Sequence, residues 1–120
     1  MSIYNTATTN KFAFSTVTRP LGNVQKNAIG TTTNDGTSWY YVIGVLDGSS
    51  IKLYVNGSLE TTTTGVSGNL RSSTRGYQIA RYNGPTYSNV TVGEFEQYDY
   101  AITATQILNN FNSTKTLYGY

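Results

Sequence analysis

Residues 39–57 read WYYVIGVLDGSSIKLYVNG. Trp39 to Leu46 is an unbroken run of aromatic and β-branched residues whose two alternating faces are both apolar, the signature of a strand covered on both sides. Asp47-Gly48 closes it with turn chemistry. Ile51, Leu53 and Val55 then share one face of a second strand. Asn56-Gly57 follows, two residues that both tolerate the positive φ of a type I′ hairpin turn, and Ser58 to Thr64 pairs back. Three consecutive strands joined by such turns predict an antiparallel meander.

On the N-terminal side, Phe12, Phe14 and Val17 mark a strand from Lys11 that stops at Arg19-Pro20. Val24 to Gly30 reads as another strand, and Asn34-Asp35-Gly36 as a turn. The opening MSIYNTATTN (residues 1–10) has only Ile3 and Tyr4 as sizeable apolar groups and reads as an N-terminal arm ahead of a domain spanning 11–120. Ordering ten residues of backbone costs on the order of 10–20 kcal/mol. Two apolar side chains return roughly 1.5–3 kcal/mol each. An ordered arm therefore needs backbone pairing, either with its own domain or with a neighbouring subunit.

On the C-terminal side, Gly65 to Gly76 reads as a loop. Tyr77 to Tyr82 and Ser88 to Tyr100 read as strands separated by an Asn83-Gly84-Pro85 turn, with Gly93 marking a bulge or a close approach. One helix is predicted. Thr103 and Gln106 form a capping box, Ile102 and Ile107 a hydrophobic staple, and Ile107, Leu108 and Phe111 an apolar stripe about two turns long. So short a helix must dock on the sheets.

Composition agrees. The 120 residues bound one small domain, and Thr, Ser, Asn and Gly make up 55 of them, which suits strands and turns. The chain holds no Cys and no His, which removes disulfides, thiol nucleophiles, Ser-His-Asp triads and nearly every structural zinc site. A net charge of +2 with 12% charged residues gives no clustered field of the kind a nucleic-acid or membrane reader uses. No apolar run reaches membrane-spanning length, and Met1 to Asn10 lacks the pattern of a signal peptide. Neither nucleic acid nor membrane is an expected partner.

The pieces Trp39 to Val45 with Asp47-Gly48, Ile51 to Gly57, Gly93-Glu94-Phe95 running through Tyr98-Asp99-Tyr100-Ala101-Ile102-Thr103, and Gln106-Ile107-Leu108-Asn109-Asn110-Phe111-Asn112 resemble, in that order, the concanavalin A-like lectin/laminin G-like domain. The match spans about 60% of the chain. The resemblance implies an all-β, antiparallel jelly-roll-like sandwich with one short C-terminal helix. The closing pattern is most similar to versions of the domain in bacteriophage virion proteins. This implies a non-catalytic virion structural protein, a capsid decoration (cement) protein bound to the major capsid protein or another virion protein. The alternative is a carbohydrate-binding module of a phage fibre or adhesin. The family usually has more strands ahead of the Trp strand than 38 residues supply, so completion of one sheet within a homo-oligomer is expected.

Candidate residues follow from chemistry. Glu94 and Glu96, with Asp99 nearby, would share one face of the predicted strand, as a glycosidase pair does. Glu94 falls on the non-catalytic Gly-Glu-Phe position of the resemblance, so the pair reads as solvated carboxylates and no catalysis is expected. Asp35, Asp47, Glu60, Glu94, Glu96 and Asp99 match no calcium loop, and no metal or cofactor is expected. Among the 11 Tyr and one Trp, Trp39, Tyr41 and Tyr54 read as core. Tyr82, Tyr87, Tyr98 and Tyr100 lie near loop ends and are candidates for partner or glycan contact. Arg71, Arg75 and Arg81, in or beside the Gly/Ser-rich loop, are candidates for pairing with an acidic surface. Ile3 and Tyr4 are the contact candidates of the arm.

Overall fold

The structure is a computed structural model and describes residues 1–19, 24–70, 77–82 and 86–120. In chain order the elements are β1 (Ser2–Asn5), β2 (Lys11–Arg19), β3 (Val24–Thr33), β4 (Val42–Asp47), β5 (Ser50–Val55), β6 (Ser58–Thr64), β7 (Asn69–Leu70), β8 (Gln78–Ile79), β9 (Arg81–Tyr82), β10 (Thr86–Tyr87) and α1 (Ala104–Tyr118). One sheet runs β3-β2-β1-β8 with β7 also on β2, a second runs β4-β5-β6, and β9 and β10 form a short ribbon. The fold is an all-β sandwich with one C-terminal helix.

The apolar run of the Trp strand explains the layering. Phe12, Phe14 and Ala28 of the larger sheet meet Ile51, Leu53 and Val55 of the smaller one, with Val42 and Leu46 packed against them. The other face of the smaller sheet buries Val45 and Tyr54 under Ile102 and Ile107, with Tyr41 and Ile43 beside them. Both faces of β4 are thus covered, one by a sheet and the other by the helix. Gly44 fits here because Phe14 lies over it: a Cβ at Gly44 would sit 2.3 Å from the Phe14 ring.

The meander forms as expected, with Asn56 and Gly57 both in the left-handed region at φ 49° and 79°. Residues 1–10 depart from the arm reading. β1 pairs antiparallel with β2, Ser2 opposite Ser15 and Asn5 opposite Phe12, and parallel with β8. Of the two possible holders, the chain's own sheet is the one that pairs with it, and Tyr4 is buried.

Four further expectations are corrected. The Trp strand begins at Val42, so Trp39 to Tyr41 precede it. Tyr77 to Tyr82 is split into β8 and β9 by Ala80, whose φ of 58° interrupts the extended backbone. Within the segment read as a loop, β7 pairs with β2. Ser88 to Tyr100 forms no strand. Its last backbone hydrogen bond is from Ser88 N–H to the Ala80 carbonyl, and Asn89 to Ala101 make none among the described residues. The segment packs on helix side chains instead: a Cβ on Gly93 would lie 2.6 Å from the Tyr118 ring.

The helix is longer than its apolar stripe, 15 residues against about two turns. Its capping box forms as read, Thr103 Oγ1 accepting from Gln106 N–H and Gln106 Oε1 accepting from Thr103 N–H. Gly119 ends it in the left-handed region, donating to the Lys115 carbonyl. Its docking face continues past Ile107 through Asn110, Phe111, Thr114 and Tyr118, all half-buried, at the spacing of successive helical turns. No helix among the described residues is long and apolar enough to cross a membrane.

Candidate functional site

The two sides of the sandwich end differently. At the free edge of β3, side chains of β6 supply the missing partners. Thr61 Oγ1 donates to the Ile29 carbonyl at 2.6 Å and Thr63 Oγ1 to that of Asn27 at 3.0 Å. The Glu60 carboxylate accepts from the N–H groups of Thr31 at 2.9 Å and Thr32 at 3.2 Å, and from the Thr32 hydroxyl. That side is stitched shut.

The opposite side is open. There a cleft of about 1010 Å³ runs between β4, the β1 and β8 end of the larger sheet, the loop at 34–41, the segment 88–102 and α1. Its lip carries aromatic side chains. Trp39 is 39% exposed and its ring centroid lies 5.3 Å from Tyr118, which in turn lies 5.7 Å from Tyr120. Tyr98 and Tyr100 meet edge to face at 5.6 Å. Offset and edge contacts of this kind are the favoured aromatic geometries and hold the rings in place.

Local turn chemistry positions Trp39. Asp35 accepts from the N–H groups of Thr37 and Ser38, both at 2.8 Å, and from the Ser38 hydroxyl at 2.7 Å. The Ser38 hydroxyl and these backbone donors hold the Asp35 carboxyl well below the usual carboxylate range. On the facing wall, Tyr98 donates to Glu96 and accepts from Asn110 Nδ2 at 3.0 Å. The hydrogen bond to Glu96, with a smaller effect of burial, pushes the Tyr98 phenol up to about 12. Burial likewise raises the Tyr41 and Tyr120 phenols above their ordinary value.

Glu94, Glu96 and Asp99 all lie on this wall and are exposed. The ion pair among the described residues is elsewhere, Lys52 to Asp47 at 2.6 Å. Because 88–100 is not a strand, the alternation that would have set Glu94 and Glu96 on one face does not apply. Among the described residues no three potential metal ligands come together.

The sequence candidates separate. Tyr98 and Tyr100 line the cleft, and Ile3 and Tyr4 line its floor from within the larger sheet. There Tyr4, 7% exposed, is a sheet residue rather than an arm contact. Arg81 and Tyr87 face each other across the β9–β10 ribbon, the guanidinium 5.3 Å from the ring centroid, a cation–π pair with Tyr87 68% exposed. Tyr82 lies on β9, its side chain outside the described part, and Arg71 and Arg75 lie outside the described residues. Tyr54 is core as read. Trp39 is not: it stands at the cleft lip. Sequence reading also missed Tyr118 and Tyr120 as site residues, although aromatic groups closing the chain beside a helix of period 3.6 were the available signal.

The sequence profile of the concanavalin A-like lectin/glucanases superfamily matches residues 2–108. Among curated proteins no sequence matches. Among solved structures, an S-layer domain-containing protein from Clostridium thermocellum is similar at 16% identity and a TM-score of 0.49, covering 90% of this chain. The present chain spans 59% of that one. With a profile match over nearly its whole length and a two-sheet sandwich beneath it, the chain belongs to the concanavalin A-like lectin/glucanases superfamily.

Proposed function

We propose that the chain is a non-catalytic structural protein of a bacteriophage virion, a decoration protein that attaches to the capsid shell by protein–protein contact. The observation that carries this reading is the segment Asn89 to Ala101, whose backbone makes no hydrogen bond among the described residues. It also exposes Val90, Val92, Phe95 and Tyr100 by 42–56% each. Large exposed apolar side chains concentrated in one short segment mark an interaction surface. The Tyr98-Asp99-Tyr100-Ala101-Ile102-Thr103 ending and the helix after it supply the phage setting by resemblance. The test is co-sedimentation with purified particles. The protein should saturate the shell, and Val92→Lys with Phe95→Lys should abolish attachment while the circular dichroism of the sandwich is kept. Undiminished attachment of the lysine variant would overturn the reading.

A second reading, glycan binding by a fibre or adhesin, is favoured by one observation. The partly exposed Trp39 ring beside Tyr118 is the kind of apolar platform on which sugar rings stack. Trp39→Ala should then lower sugar affinity at least tenfold in calorimetry and leave particle attachment unchanged.

A further inference from the structure

Strand β4 is covered on both faces and, among the described residues, open along one edge. Its register with β5 shows which groups lie there. Asn56 N–H donates to the Tyr41 carbonyl at 2.8 Å, and Tyr41 N–H donates to the Asn56 side chain at 2.9 Å. Residue pairs two apart in an antiparallel ladder repeat the same pattern. Ile43, Val45 and Asp47, opposite Tyr54, Lys52 and Ser50, therefore bond to β5. The N–H and C=O groups of Val42, Gly44 and Leu46 point the other way, into the cleft, and have no partner among the described residues. Exposed edges of this kind are templates for another strand. The chain stitches off the β3 edge with Glu60, Thr61 and Thr63, and nothing equivalent lies here among the described residues.

The chain's own unpaired segment does not occupy the edge. Its backbone is seated on Tyr118 at Gly93 and tied to α1 by the Asn110–Tyr98 hydrogen bond, so it forms the far wall. That wall carries Glu94, Glu96 and Asp99, with no cation paired to them among the described residues. A second copy's 89–101 would bring three more carboxylates against these, a repulsive juxtaposition. We propose that the β4 edge is a strand-addition site for an extended segment of a partner polypeptide that carries lysine or arginine beside alternating apolar residues. The six residues of β4 extend about 20 Å, long enough to pair five or six residues of the partner. Main-chain bonds then supply affinity, and the acidic wall supplies selectivity. This rests on the protein-contact reading above, and names the partner for it.

The probe is the peptide acetyl-Lys-Val-Thr-Val-Thr-Val-Lys-amide, with acetyl-Glu-Val-Thr-Val-Thr-Val-Glu-amide as control, added to the full chain and read by amide hydrogen exchange in nuclear magnetic resonance. At saturation the lysine peptide should slow exchange at Val42, Gly44 and Leu46 at least tenfold and leave Val45, already bonded to β5, nearly unchanged. The glutamate peptide should bind at least tenfold more weakly. Glu94→Gln with Glu96→Gln and Asp99→Asn should erase that difference between the peptides. No slowing at the three amides, or equal slowing by both peptides, overturns the inference. So does slowing that appears without peptide as the protein is concentrated, because a second copy then fills the edge. If the lysine peptide protects the edge but the protein fails to bind particles, the site stands and only the capsid setting falls.

Discussion

Replacing Gly44 with alanine places a methyl group where the Phe14 ring already lies, with three ring carbons at 2.3, 2.4 and 2.6 Å from the new Cβ. Carbon atoms pack best at about 3.5–4.0 Å, so the ring or the strand must retreat by about 1 Å. Both belong to the packed interior, where Phe14 is 4% exposed. Overpacking of this order costs about 1–3 kcal/mol. Against it stands the gain of about 0.5–1 kcal/mol that alanine brings over glycine in a strand interior, available here because Gly44 has no positive φ. The net expectation is a loss of about 1–2 kcal/mol, or roughly 4–8 °C in Tm for a chain of this size.

Urea denaturation followed by tryptophan fluorescence and circular dichroism measures it. The decisive comparison is with Phe14→Leu, which removes the ring edge and keeps most of the apolar volume, at a cost of about 1 kcal/mol. In that background Gly44→Ala should be neutral or stabilising, a coupling of at least about 1 kcal/mol between the two sites. If Gly44→Ala costs the same with phenylalanine or leucine at position 14, or stabilises the unaltered protein, then close approach of the two sheets is not what glycine provides here.

Other expectations concern single side chains. Glu60→Ala strands the Thr31 and Thr32 N–H groups and should cost about 1–3 kcal/mol in the same urea assay. Thr16 is fully buried and its hydroxyl has no partner among the described residues, so Thr16→Val should stabilise by about 1 kcal/mol. A raised phenol favours the protonated fold. Tyr98 therefore contributes stability that is whole below pH 10 and lost as pH rises through about 12, and Glu96→Gln should return its ultraviolet titration toward the ordinary value. Asp35 is shifted the opposite way. Its contribution is present above the usual carboxylate range and lost as pH falls below it, so acidification, like Asp35→Ala, should free the Trp39 loop, read as a change in tryptophan emission.

The legible parts of the fold were those in which the deciding contacts are near in sequence. Asn56-Gly57 sets two left-handed residues in a row, and that alone fixes the β5–β6 register near the turn. Thr103 and Gln106 settle the helix start between themselves. The misread parts depend on distant neighbours. Val90, Val92 and Phe95 look like strand residues, but a strand exists only beside an edge, and alternation says nothing about which edge is near. The polar lead SIYN pairs because Lys11–Arg19 lies alongside it, not because its side chains demand burial. The helix outran its apolar stripe because Asn110 and Thr114, polar in sequence, occupy docking positions, Asn110 bonding to Tyr98 and Thr114 to the carbonyl of Asn110.

The same distinction explains why the candidate site was only partly visible. Tyr98 and Tyr100 could be picked out because they close a predicted strand and so lie near a loop end. Trp39 could not, since an aromatic residue leading an apolar run is as good a core residue as a lip residue until the strand's first paired residue is known. Here it is Val42, three positions later, and those three positions swing the indole out of the sandwich onto Tyr118. The open β4 edge was further from view. Its N–H and C=O groups are common to every residue type, so no sequence pattern records them. What the sequence does record is the contrast in chemistry at the two sides: Glu60 with its threonines closing one edge, and Glu94, Glu96 and Asp99 facing another across a cleft. Carboxylates that accept backbone N–H groups end a sheet, whereas carboxylates left in solvent beside unpaired backbone leave room for a partner that brings both donors and positive charge.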